Sequence, residues 1–200
     1  MYQKIILASS NKGKIAEFQA ILPTHQLIPQ SDLDIPDADE TGLTFIENAL
    51  IKARNACKLS GLPSIADDSG LIVDALDGRP GIYSARYGSQ DSNHTTNIEK
   101  VLSEMRDVLA PQRTARFVCT VVFMRNDDDP LPIVCQGLWE GTLLNKPQGE
   151  YGFGYDPIFW VSEYNCSAAE LEPQLKNTMS HRAKALACLA DAFRKIDRES

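Results

Sequence analysis

The chain has 200 residues, 43% of them hydrophobic and 24% charged, as in an ordinary globular protein with a sizeable core. A formal net charge of −7 excludes a surface that attracts nucleic acid as a whole, so an anionic ligand requires positive charge focused locally. The five cysteines, Cys57, Cys119, Cys135, Cys166 and Cys188, are odd in number, scattered and without a CxxC pair. They read as small core hydrophobes in a reducing cytoplasm, not as a disulfide framework or zinc site. The apolar run Ile5 to Ala8 is too short for a signal peptide, and no later run is long enough to span a membrane.

In chain order, Lys4 to Ala8 predicts a buried strand, Ser9 to Gly13 a polar loop, and Lys14 to Leu22 a helix stopped by Pro23. An acidic, irregular stretch follows from Asp32 to Gly42. Thr44-Phe45-Ile46-Glu47 is a capping box, and Ile46, Ala49, Leu50, Ala53, Ala56 and Cys57 recur at helical spacing until Gly61. Ser64 to Ala66 and Leu71 to Val73 predict short strands around an acidic turn, Asp67-Asp68-Ser69-Gly70. Gly78 to Gly88 reads as a loop, and Thr96 to Leu109 as a helix capped by Thr96 and Glu99. Ala115 to Met124 and Leu131 to Leu144 predict a hairpin of long strands. Lys146 to Pro157 is rich in glycine and aromatic residues. Ser180 to Ile196 predicts the last helix, buried along Leu186, Leu189, Ala190 and Phe193. The mixture implies one α/β domain over residues 1–200, with a mixed sheet flanked by helices.

Four segments carry residues suited to chemistry. Ser9, Ser10, Asn11, Lys12, Gly13 and Lys14 lie where a strand hands over to a helix. Backbone N–H groups, the helix dipole and lysine charge can hold phosphate oxygens there; a solvated turn is the plain alternative. It is not a Walker A loop, because Ala8 and Ile15 stand where that motif needs a glycine and a hydroxyl. Glu40 with Asp67 and Asp68 offers carboxylates of the kind that bind Mg²⁺, or an ordinary acidic turn. Neighbouring residues on an extended chain face opposite ways, so Asp67 and Asp68 are expected to do different jobs. Gly152-Phe153-Gly154-Tyr155-Asp156-Pro157 combines flat rings for a base to stack on with a carboxylate for its edge, or forms a rigid core turn. Finally, Lys176 precedes Ser180-His181-Arg182. Cations in a first helical turn oppose the dipole at about 0.3–1 kcal/mol each, which points to a bound anion or base carbonyl, or to a salt bridge from Glu170 or Glu172.

Together these segments resemble the inosine triphosphate pyrophosphatase family, the dITP/XTP pyrophosphatases, in its bacterial form. The Ser/Thr-x-Asn-x-x-Lys motif matches Ser9 to Lys14. The acidic lead into a capped helix matches Glu40 to Ala49, and the Asp-Asp-Ser-Gly motif matches Asp67 to Gly70. Pro80 to Tyr87, Gly152 to Pro157 and Ser180-His181-Arg182 with Lys176 upstream match as well. The resemblance runs from Lys4 to about Phe193. It implies a long mixed sheet in two lobes around a cleft, a homodimer, and hydrolysis of ITP, dITP and XTP at the α–β phosphoanhydride.

The resemblance also implies roles. Ser9 to Lys14, Lys52, Ser69 and Lys176 would contact the substrate, the lysines neutralising phosphate. Glu40 and Asp68 would hold Mg²⁺, and Asp68 would orient or deprotonate the attacking water, with Asp67 as the substitute. Phe153, Gly154, Tyr155, Asp156, His181 and Arg182 would form the base site. Hypoxanthine and xanthine offer a 6-carbonyl and an N1–H, whereas adenine reverses both, so mismatched buried groups would reject ATP. Two rivals differ in sequence. The septum-inhibitor Maf type has Pro-Arg-Arg where this chain has Asn11-Lys12-Gly13-Lys14, and a non-catalytic nucleotide-binding regulator has no use for the carboxylates Glu40, Asp67 and Asp68.

Overall fold

The structure is a computed structural model that describes residues 4–89 and 93–199. Seven strands form one sheet in the order β2-β1-β3-β4-β5-β6-β7: β1 Lys4–Leu7, β2 Gln26–Pro29, β3 Ser64–Val73, β4 Thr114–Met124, β5 Ile133–Leu143, β6 Phe159–Val161 and β7 Cys166–Ser167. β1 runs parallel to both β2 and β3, while β5–β6 and β6–β7 are antiparallel. The sheet is therefore mixed, as the sequence implies. The link between β4 and β5, residues 125–132, is too short for a parallel crossover, so the two strands form the expected hairpin. Among the described residues five α-helices accompany the sheet: α1 Lys12–Ile21, α2 Phe45–Ser60, α3 His94–Glu104, α4 Pro173–Met179 and α5 His181–Glu199.

The chain divides into two compact units, and it passes between them four times. The first holds the chain up to Asp68, Cys119–Gly137 and the chain from His181; the second holds Ser69–Val118 and Leu138–Ser180. In the first unit, strand alternation sorts the core into two layers. Ile5, Leu7 and Ile65 pack with Phe18 of α1 and with Ala185, Leu186, Leu189 and Phe193 of α5. Ile6, Ala8 and Ala66 pack with Ala49, Ala53, Ala56 and Cys57 of α2. In the second unit, Ile98, Val101 and Met105 of α3 and later residues such as Phe117, Trp139, Tyr155 and Phe159 share one cluster.

Local signals explain the helix ends. Asn11 caps α1 by accepting from Lys14 N, and Thr44 caps α2 by accepting from Glu47 N. Gly61 ends α2 in the left-handed region at φ 68°. Two expectations need correction. α3 starts earlier than expected: Asn93 and Thr96 form its capping box, so Thr96 is the third helical residue and not the cap. Residues 67–70 are not a turn at all. They lie inside β3, which runs unbroken for 10 residues with Asp67 and Asp68 buried in it.

Candidate active site

Because β3 is continuous, its side chains alternate, and the two aspartates point into different layers. Ser64, Ala66 and Asp68 face α2: Ser64 Oγ donates to Ala53 O, and Asp68 meets Asn48 and Lys52. Ile65 and Asp67 face α1 and α5: Asp67 meets Lys14 and Arg182.

On the α2 face, Lys52 Nζ lies 2.8 Å from Glu40 Oε1 and 3.2 Å from Asp68 Oδ1. The two carboxylate oxygens thus converge on one point and stand no more than about 6 Å apart. Asn48 completes the arrangement. Its Nδ2 donates to Asp68 Oδ2 at 3.2 Å, and its Oδ1 accepts from Gly42 N at 2.8 Å. The segment carrying Glu40 is pinned to α2 a second time, because Asn55 Nδ2 donates to Pro36 O. Burial, with Glu40 and Asp67 nearby, holds the Asp68 carboxyl above its usual range despite Lys52 and Lys14. Burial also works against the Lys52 charge, but Asp68, Asp67 and Glu40 outweigh it and raise the ammonium pKa.

On the other face, Asp67 is fully buried. Its Oδ2 accepts from Lys14 Nζ at 3.0 Å and from Arg182 Nη2 at 3.2 Å, with the Cys119 thiol at 3.8 Å. Arg182 also pairs with Glu17 through Nη1. Burial alone would raise the Asp67 pKa, yet Lys14, Arg182 and Lys52 hold it far below the usual carboxylate range. Asp67 Oδ1 is buried without a hydrogen-bond partner. This network answers why cationic residues begin α5. Arg182 is 1% exposed, and its charge is matched by Asp67 and Glu17 rather than by a surface bridge from Glu170 or Glu172.

The phosphate-binding candidates lie at the start of α1. Ser9 is buried, and its Oγ accepts from Asn11 N at 3.3 Å. Ser10, Asn11 and Lys12 are exposed, and Gly13 and Lys14 are half-buried. Ser10 Oγ donates to Asp37 Oδ1 at 2.8 Å, and Gln30 Nε2 donates to both Ser10 and Asp37. Asn11, Lys14, Glu40, Lys52 and Asp68 therefore belong to the same unit as His181 and Arg182.

The second unit gathers a different group. Asp156 and Lys176, both buried, pair at 2.7 Å, and Phe153 N donates to the same Asp156 oxygen at 2.9 Å. Lys176 Nζ stands 5.0 Å over the half-buried Phe153 ring, a cation–π contact. Gly152 allows the tight turn: at φ 77° a Cβ there would strike the Asp156 carboxylate. Gly154 N donates to His94 Nδ1 at 3.2 Å. Ser69, half-buried on β3, is in this unit as well.

The structure gives Lys176 and Arg182 carboxylate partners and places Tyr155 differently from expectation. Lys176, expected at the phosphates, pairs with Asp156 in the second unit. Tyr155, expected to offer a stacking face, is 4% exposed and donates its hydroxyl to Ser84 O at 2.8 Å; its ring is core. Arg182, expected to read a base, is buried and pairs with Asp67 and Glu17. The sequence does not single out Asn48, Glu17 and His94, which partner Asp68, Arg182 and Gly154 in the structure. Asn48 carried a signal: a large amide directly beside Ala49 and Ala53 in an otherwise small, apolar stripe.

The Ham1 family model matches residues 5–192. The chain is 54% identical over 193 residues to a protein of Vibrio cholerae named dITP/XTP pyrophosphatase, with 96% of both chains covered. It is 54% identical over 187 residues to one of the same name from Pseudomonas syringae pv. tomato, covering 93% and 94% of the two chains. Among solved structures, a HAM1 protein from Coxiella burnetii matches with a TM-score of 0.90 and 45% identity, over 96% of this chain and 98% of that one.

Proposed function

This chain belongs to the Ham1 family, and from that premise we propose that it hydrolyses ITP, dITP and XTP to the nucleoside monophosphate and pyrophosphate, keeping deaminated purines out of DNA and RNA. The convergence of Glu40 and Asp68 on Lys52 is the observation that carries the reading. It places two carboxylates and a cation together beside the polar start of α1, as phosphoanhydride hydrolysis requires.

Mg²⁺ is part of the proposal, and the residues fit it. Among the described residues no three His, Cys, Asp or Glu side chains are grouped to hold a metal. Mg²⁺ needs none, since it keeps waters and takes one or two carboxylates plus substrate phosphates. Glu40 and Asp68 are those carboxylates. When bound, the ion would neutralise phosphate charge and polarise the scissile anhydride.

The protein's own groups supply the rest. The N–H groups opening α1 bind phosphate oxygens, aided by Ser9, Ser10, Asn11, Lys12 and Lys14. Lys52 moves from its carboxylates to the phosphates, exchanging one set of anions for another. Asp68 accepts the proton of the attacking water. Asp67 fixes Lys14 and Arg182 from behind the strand. Asp156 accepts from purine N1–H, Lys176 donates to the 6-carbonyl, and Phe153 stacks on the ring. The proposal extends to a homodimer, on the family resemblance, and to a cytoplasmic setting, on five free thiols.

The decisive assay mixes pure protein with ITP and Mg²⁺ and measures pyrophosphate against orthophosphate, with ATP as the comparison. Pyrophosphate and inosine monophosphate are the expected products. Orthophosphate with inosine diphosphate would exclude the reading.

A further inference from the structure

β5 and α5 touch at Gly137. A Cβ placed there would strike His181 O and stand 2.7 Å from Ala185 N, so only glycine permits this approach. Cys135 lies two residues back along β5, hence on the same face. Cys188 lies three residues beyond Ala185, hence one turn further along the same side of α5. The contact at Gly137 therefore brings the two cysteines to neighbouring positions on facing elements, with Cys135 in one cluster with Ala185 and Leu189, which flank Cys188 on the helix. Cys135 is buried with Ala185 and Leu189, whereas Cys188 is exposed, and both are free thiols.

We propose that Cys135 and Cys188 form a modification site, a reversible intramolecular disulfide made by oxidants of the hydroperoxide class. Exposure sets the order of events. The Cys188 sulfur attacks the peroxide, forming S–O as O–O breaks, and the alcohol or water that leaves carries away the thiol proton. The Cys135 sulfur then attacks the Cys188 sulfenic acid. S–S forms, S–O breaks, and the hydroxyl leaves as water with the Cys135 proton. Two thiols lose two electrons and the hydroperoxide gains them. Burial, reinforced by Cys188, pushes the Cys135 thiol up to about 12, so the exposed Cys188 and not Cys135 meets the oxidant first. The bond would staple α5 to the hairpin strand that β4 leads into, and nothing in the proposed nucleotide chemistry uses either sulfur.

The test treats the folded protein with hydrogen peroxide, blocks remaining thiols with iodoacetamide, digests it and maps the peptides by mass spectrometry. The expected result is a linked pair of peptides holding Cys135 and Cys188, about 2 Da below the sum of their reduced masses and released by dithiothreitol. In Cys135→Ser, Cys188 should instead be trapped as a sulfenic acid by dimedone. In Cys188→Ser, Cys135 should stay unmodified. Finding Cys188 in wild type as a sulfinic acid or an intermolecular disulfide, with Cys135 still alkylated after denaturation, would overturn the proposal.

Discussion

Asn48 joins the two ends of the proposed metal and phosphate site: one amide accepts from Gly42 N, two residues beyond Glu40, and donates to Asp68. Its side chain is completely buried. The loop carboxylate and the strand carboxylate are thus held to one helix residue. Asn48→Ala leaves the Gly42 N–H and one Asp68 oxygen without that partner. The expected cost is about 1–3 kcal/mol in urea unfolding. ITP turnover should fall at least about tenfold, with more Mg²⁺ needed for half-maximal rate, because misplacement by a fraction of an ångström costs rate. A variant that loses stability but keeps both kcat and its Mg²⁺ dependence would show that Asn48 only supports the fold.

The two neighbouring aspartates should fail in different ways. Asp68→Asn keeps shape and stays folded, and its kcat should drop by about 10²–10⁴, the usual worth of a positioned base. Asp67→Asn withdraws a charge from beside Arg182, which is 1% exposed. Breaking such a buried pair costs about 3–5 kcal/mol, so this variant should show a large loss of stability. Parallel urea melts and ITP kinetics separate the two, and a stable Asp67→Asn with abolished turnover would reverse the assignment.

Base selection should follow the Asp156–Lys176 pair rather than Arg182. An unmatched buried polar group costs about 1–3 kcal/mol, so Lys176→Met should lower the ITP-to-ATP ratio of kcat/KM by about 10–100-fold. Arg182→Lys should lower stability while leaving that ratio near the wild-type value. An unchanged ratio in Lys176→Met would remove Lys176 from base recognition.

Acid should weaken the first unit through Asp129. Its carboxylate accepts from Arg125 N, Nε and Nη2 and from Leu131 N. The Arg125 side-chain bonds, more than the backbone ones, pull its pKa far below the ordinary value. A depressed folded pKa adds stability that is fully present above the unfolded pKa, about 3.9, and is lost as pH falls through the folded pKa. Asp129→Asn should therefore be less stable than wild type at pH 7, and the gap should narrow below about pH 4. Chemical melts from pH 7 to pH 2 measure it; a gap constant across that range would contradict the assignment.

What could be read from the chain was local. The helix from Phe45 to Ser60 was legible because Thr44, the alanine stripe and Gly61 signal its start, face and end within a few turns. The α4 helix and the strands β2, β6 and β7 carry no comparable signal: α4 has 7 residues, β6 and β7 have 3 and 2, and β2 has 4 and buries only Leu27. The candidate residues were legible as types, from the motifs and from cations set against a helix dipole. Their pairing was not. Asp67-Asp68-Ser69-Gly70 carries the composition of a turn, and by sequence it reads as one. It becomes strand interior because Lys14, Lys52, Asn48 and Arg182 compensate the two carboxylates on opposite faces, and Arg182 lies 115 residues from Asp67. Lys176 likewise took its role from Asp156, 20 residues earlier, and not from its own neighbours. Short-range rules fix where a helix begins and which face is apolar, whereas a buried charge is tolerable only where its partners stand, and only the folded chain decides that.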